Sequence, residues 1–389
     1  MLITNATLLT PSERAQVGAA HGAMRLDRGR IVAMGRTADI SPVDNEPVFD
    51  AQGLILAPGF IDLQLNGGFG HDFTQEPTTI WQVAKQLPRY GVTGFLPTII
   101  TSPLATIRAA QQVLEQEPSA FDGATPLGLH LEGPFLNSEK KGAHNAQHLQ
   151  SPDLAPAELA SEWSPQRGVR LVTLAPELPG ALDLVRRLVA NGVLVGAGHS
   201  LATLQEAEAA IQAGVRYGTH LFNAMPTLHH RDPGLAAALL GDERVSVGLI
   251  ADGVHVHPAV IRLVWRLLGA DRLNLVTDAM AALGMPASDY QLGDQVVRVG
   301  GQRATLPDGT LAGSVLSLDA ALRNLMRFTG CSPAEAIQTV TSTPARLLAL
   351  DHKKGRIAPG YDADLVLLTE GFEVASAFIG GRLVFDRRE

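Results

Sequence analysis

A single cysteine, Cys331, stands among the 389 residues, which excludes an intrachain disulfide and favours a reducing compartment, the cytoplasm. Charged residues make up 18% of the chain, below the roughly 25% usual for soluble domains, and this argues against a disordered or highly charged tail. The net charge is −8, with no Lys or Arg run longer than a pair such as Lys140-Lys141, so nucleic acid and anionic membranes are not expected as partners. No apolar stretch approaches the roughly 18 residues of a membrane helix. The opening MLITNATLLTPSERAQ has neither a basic segment nor a long apolar one, as expected of a soluble cytoplasmic protein without a leader. Fixed-period repeats and low-complexity segments are also missing. What remains is a chain with 46% hydrophobic residues, long enough for one large domain and a smaller companion.

Short strand-like runs punctuated by turns occupy both ends. Met24-Arg25-Leu26 and Ile31-Val32-Ala33-Met34 flank a turn at Asp27–Arg30, and Phe378-Ile379 and Arg382–Phe385 flank Gly380-Gly381. Neither end has enough strands to bury a face alone, so residues 1–57 and 354–389 are expected to form one small β-sandwich domain together. Residues 58–353 alternate apolar runs with amphipathic helical stretches, the pattern of parallel strands with crossover helices. Eight runs qualify: 60–66, 95–100, 127–132, 171–176, 194–199, 217–223, 247–252 and 273–278. Helix punctuation includes Thr203 with Glu206, Ser332 with Glu335, and stops at Gly214 and Gly269. No GxGxxG follows the first run, and polar residues end many different strands, so a (β/α)₈ TIM-type barrel is favoured over a doubly wound sheet.

Barrel chemistry projects from the C-terminal ends of the strands. Those ends carry Asp62, Gln64 and Asn66 on the first strand, then Glu132, His199, His220, Asp252 and Asp278 on later ones. One Glu and two His are the donor set of a catalytic metal site with an open position, which makes Glu132, His199 and His220 the expected ligands. A metal in such a site lowers the pKa of bound water to about 7, and Asp278 is placed to move its proton. A lone histidine at a strand end is commonly structural, but four polar groups in one barrel mouth are costly to bury without a shared ionic partner. His130 is read as an inner-layer residue. His21, His148, His257 and His352 are read as surface residues, and Lys140-Lys141 as a solvated pair.

The segments HLEGPF (130–135), KKGAHN (140–145), GAGHS (196–200), THLFNAMP (219–226), DGVH (252–255) and VTDA (276–279) resemble the N-acetylglucosamine-6-phosphate deacetylase family of the amidohydrolase superfamily. PGFID (58–62) and GRIAPGYDADL (355–365) resemble the superfamily's entry to and exit from the barrel. The resemblance spans nearly the whole chain. It implies metal ligation by Glu132, His199 and His220, proton transfer by Asp278 as general base and then acid, and orientation or polarisation of an acetyl carbonyl by His144. It also implies substrate contacts from Ala143, His144, Asn223, Ala224, Arg231, His255, Leu311, Ala312 and Gly313. It further implies a homodimer in which the neighbouring subunit supplies part of the phosphate site. Phosphate needs local positive charge in a chain of this sign, and Arg231 offers a bidentate fork.

Gln64 and Asn66 stand where many amidohydrolases carry His-x-His, and the fourth strand ends Ala175-Pro176-Glu177 with no lysine. Amides are poor replacements for imidazole on a metal, so one divalent ion is expected rather than two, with zinc preferred on ligand type. The expected substrate is a phosphorylated N-acetyl amino sugar, the glucosamine or the galactosamine epimer. A two-metal dihydroorotase or dipeptidase and a non-catalytic scaffold are the alternatives.

Overall fold

The computed structural model describes residues 1–8, 22–156 and 158–388; His21 lies outside them. Eight parallel strands form the barrel wall, and the short Thr125–Pro126 joins their sheet beside the second: β1 (Phe60–Leu65), β2 (Val92–Ile100), β3 (Leu129–Glu132), β4 (Val169–Leu174), β5 (Leu194–Ala197), β6 (Tyr217–Gly218), β7 (Ser246–Leu249) and β8 (Leu273–Leu275). Each pairs with the next in chain order, the arrangement of a (β/α)₈ barrel. All nine residues of β2 are buried, because one strand face looks inward and the other lies under helices. Several covering helices bury one apolar stripe, as in Ala181–Ala190 with Ala181, Leu184, Val185 and Leu188 buried. The capping boxes at Thr203/Glu206 and Ser332/Glu335 are present, and Gly214 ends its helix. Gly269 instead lies within Pro258–Arg272, where a φ of 57° kinks the helix. Inside the barrel, fully buried Tyr217 reaches from β6 to donate to Asn274 Oδ1 (3.1 Å). A Cβ on Gly248 would meet the tyrosine hydroxyl at 2.2 Å, so only glycine fits beside the ring.

The ring closes between β8 and β1 through single contacts. Asp278 N–H donates to Gln64 O (2.9 Å) and Asn66 N–H to Ala279 O (2.8 Å). Beneath them the Asp62 carboxylate accepts from Gln64 N–H (3.1 Å), Thr277 N–H (3.3 Å) and the Thr277 hydroxyl (2.6 Å). Burial pushes Asp62 up to about 7, against the pull of these donors. A side chain thus replaces missing ladder rungs where Gln64 and Asp278 stand. Thr277→Val keeps the shape and removes the hydroxyl. It should lower the unfolding free energy by about 1–3 kcal/mol in a denaturant titration; an unchanged midpoint would mean the seam does not depend on this contact.

A second sheet unites the chain ends. Its order is Arg382–Asp386, Val374–Ile379, Leu365–Leu368, Ile55–Pro58, Leu2–Leu8, Gly22–Asp27 and Arg30–Arg36, with Val48–Asp50 also beside Leu2–Leu8. Both expected hairpins are present. Residues from the two ends, among them Ile3, Met24, Leu56, Leu365 and Phe378, share one core.

Most barrel strands stop short of the end of their apolar runs. The runs reach His199, Asn223 and Asp278, but the backbone turns left-handed at His199 (φ 49°), His220 (φ 30°) and Asp278 (φ 49°). Such conformations at non-glycine residues cost on the order of 1–3 kcal/mol and cluster at functional sites. The sequence reading also passes over a three-stranded antiparallel sheet, Asp289–Leu292, Gln295–Gly300 and Arg303–Thr305. Its signal is the alternation of buried Val297 and Val299 with outward Val296 and Arg298, next to a Gly293-Asp294 turn. Among the described residues no helix is long and apolar enough to cross a membrane.

Candidate active site at the barrel mouth

Glu132 ends β3, His199 lies two residues beyond β5, His220 two beyond β6 and Asp278 three beyond β8. These four exits converge. Glu132 Oε1 lies 3.0 Å from His199 Nε2 and 2.9 Å from His220 Nε2, and the two Nε2 atoms are 3.0 Å apart. All three side chains are buried. Burial pushes the Glu132 carboxyl up, but the two adjacent imidazoles outweigh it and hold the group well below the usual carboxylate range. Burial by itself lowers His220, and the bond to Glu132 more than reverses that.

The tautomer of His199 bears on what this triangle can hold. Its Nδ1 lies 2.8 Å from the Lys140 carbonyl oxygen, which only accepts, so Nδ1 carries the hydrogen and Nε2 presents a lone pair. A lone pair facing a carboxylate oxygen and another imidazole nitrogen at about 3 Å repels both, and a cation among the three would turn that repulsion into ligation. An imidazole anchored through its other nitrogen to a carbonyl is also the usual form of a metal-ligating histidine. The residues present therefore fit a divalent metal.

His144 borders the same point, its ligand atom lying within 4.8 Å of those of Glu132 and His199. Its Nδ1 accepts from Thr101 N–H (3.3 Å) and lies 2.8 Å from the Thr101 hydroxyl, which leaves the hydrogen on Nε2, 3.9 Å from Glu132 Oε2. Burial lowers this imidazole to about 3, so it is a neutral hydrogen-bond donor at pH 7 rather than a lone-pair ligand.

Asp278 is raised to about 6 by burial first and by the nearby Glu132 charge second. Its Oδ1 accepts from Asn66 Nδ2 (2.7 Å) and Gln64 Nε2 (3.1 Å), and the Gln64 amide also lies 3.1 Å from Glu132 Oε1. Carboxylates only accept, so both amides must turn their nitrogens toward them. With both bonds on Oδ1, the other oxygen is left for proton transfer. The sequence reading treats Gln64 and Asn66 only as absent ligands; the structure makes them the supports of Asp278. Below this level, buried His130 lies between the hydroxyls of Thr173 (Nε2, 2.8 Å) and Thr98 (Nδ1, 3.3 Å), an inner-layer residue.

A cavity of about 470 Å³ opens over the site, lined by Glu132, His144, His199, His220 and Asp278 together with Ala143, Asn223, Ala224, His255, Leu311, Ala312 and Gly313. His255 Nδ1 is held at 2.6 Å by Asp252 Oδ2, so Nε2 is its free ring atom. Lys140 and Lys141, read from the sequence as a solvated pair, also line the cavity and bring positive charge to its wall. Asp308 and Thr310 line it too, and the turn sequence Pro307-Asp308-Gly309-Thr310 is the signal for them. The Asn223 N–H is already bonded to His220 O (3.0 Å), so it is not free to hold a phosphate oxygen. Arg231 alone of the substrate contacts named from the sequence does not line the cavity; it is exposed, its guanidinium 2.9 Å from His230 Nε2.

Residues 55–384 match the model of the amidohydrolase family. The chain is 42% identical to the N-acetylglucosamine-6-phosphate deacetylase of Homo sapiens, over 86% of this chain and 85% of that one. It is 40% identical to the N-acetylgalactosamine-6-phosphate deacetylase of Escherichia coli O157:H7, over 90% and 93%. Its fold superposes with a TM-score of 0.87, at 33% identity over 99% of both chains, on a point mutant of N-acetyl-D-glucosamine-6-phosphate deacetylase from Mycobacterium smegmatis in complex with N-acetyl-D-glucosamine-6-phosphate.

Proposed function

The chain belongs to the amidohydrolase family, and from that premise we propose that it hydrolyses the acetamide of N-acetylglucosamine 6-phosphate to glucosamine 6-phosphate and acetate, a step of amino-sugar metabolism. The observation that carries the reading is the buried Glu132, His199 and His220 triangle with an amide-supported carboxylate, Asp278, beside it. Glu132, His199 and His220 would hold one divalent ion, which when bound polarises the scissile carbonyl and acidifies the attacking water. Zinc is proposed from the donor types. A single ion is proposed because Gln64 and Asn66 are committed to Asp278.

Asp278 takes the proton of the attacking water and passes it to the leaving amine. Neutral His144 donates from Nε2 to the acetyl oxygen, strengthening as charge develops there. The cavity walls at Ala143, Asn223, Ala224, His255 and Leu311–Gly313 surround the sugar phosphate. The lone cysteine supports action in the cytoplasm. Metal analysis joined to an acetate-release assay on both epimers tests the proposal. Acetate release without metal would overturn it. The galactosamine epimer is the second reading, favoured by the Escherichia coli relative, and preference for that substrate would replace the first.

Arg231 is exposed and outside the cavity of its own chain, which supports a homodimer in which it reaches the partner's phosphate. Arg231→Ala should raise KM about 10- to 100-fold, the loss of a charge-assisted bond, with kcat little changed. Mixing Arg231→Ala with Asp278→Asn subunits should restore sites that have both groups. No recovery in subunit-exchanged mixtures would refute action across an interface.

A further inference from the structure

Glu177 stands beyond the end of β4 and does not line the main cavity, yet among the described residues its carboxylate bonds to the segments that fix His199. Oε1 accepts from Leu201 N–H (2.7 Å) and Asn137 Nδ2 (2.9 Å), and Oε2 accepts from the Ser200 hydroxyl (2.7 Å). Ser200 Oγ in turn accepts from Ala202 N–H (2.9 Å). One carboxylate therefore pins the chain immediately after the left-handed turn at His199. The second arm runs through Asn137, whose N–H donates to His199 O (2.9 Å). Asn137 Oδ1 accepts from Glu139 N–H (2.9 Å) and caps the short turn Ser138–Lys140. That turn delivers the Lys140 carbonyl to His199 Nδ1.

We propose that Glu177 is a positioning residue for His199, holding both the strained exit of β5 and the carbonyl that fixes the imidazole's tautomer, and so aiming Nε2 into the metal site. The inference rests on the reading of Glu132, His199 and His220 as ligands. Three donors converge on the carboxylate; a glutamine could keep the two on Oε1 but would meet Ser200 only by reversing that bond, whereas alanine loses all three.

The test compares wild type, Glu177→Gln and Glu177→Ala as zinc-loaded and cobalt-substituted proteins. Transfer of zinc to a chromophoric chelator should show affinity weakened about 10- to 100-fold in Glu177→Ala and less in Glu177→Gln. The visible spectrum of the cobalt forms should shift, while KM for substrate stays near wild type. A merely structural role would lower the melting point of the metal-free protein and leave zinc affinity and cobalt spectrum unchanged. That result in both variants would overturn the proposal. Should Glu177→Ala fail to fold, Glu177→Gln carries the same readouts. A wild-type protein that takes up no metal would instead defeat the ligand reading.

Discussion

Asp278→Asn should lower kcat by roughly 10² to 10⁴, about 3–5 kcal/mol of barrier, with metal content unchanged. The amide keeps the shape of the carboxylate and can still accept from Gln64 and Asn66 through its oxygen, but it cannot take a proton from water. The three proposed metal donors are untouched, so occupancy should match wild type by elemental analysis. A pH profile adds a second reading. Asp278 works as a base only when ionised, and burial together with Glu132 raises it to about 6. A bound cation favours the charged form, so kcat/KM of the wild type should fall as pH drops through a value at or below about 6. The variant should lose that acid limb. Wild-type activity in Asp278→Asn would remove the residue from the mechanism.

His199→Ala is expected to abolish activity by a different route, loss of the metal. Wild-type protein should gain about 2.7 kcal/mol of stability when metal is supplied at 100 times its Kd, seen as a rise in melting temperature. The variant should show almost none of that rise and keep little metal after dialysis. Glu132 and His220 remain, but two donors do not define a closed coordination face. Full occupancy in the variant would contradict the ligand assignment and pass the third position to His144, which borders the same point.

Which residues converge at the barrel mouth was open to sequence reading because barrel strands place their last polar residue there. Glu132, His199, His220 and Asp278 each follow an apolar run, and that local pattern is enough. The supports of these groups are not local. Gln64 and Asn66 meet Asp278 from the far side of a seam, and Glu177 meets Ser200 and Leu201 from another strand exit. No spacing in the chain says which way an amide or a carboxylate turns. The strand ends were also hidden, since β-rich segments such as Leu194–Ser200 give no sign that His199 will adopt a positive φ. The proposed phosphate role of Arg231 rests on family resemblance, because one chain leaves the residue in solvent.

The antiparallel pairing of Ile55–Pro58 with Leu365–Leu368 bears on how the protein is made. The ribosome releases the earlier of these partners about three hundred positions before the later one, and contacts so distant in sequence form slowly. Until then the stretch leading into Phe60 has an open edge, available to chaperones or to like edges on other nascent chains. Messages interrupted near their end would yield products with the barrel sequence intact and that edge permanently bare. Quality control should recognise such products by aggregation before any defect in catalysis is felt.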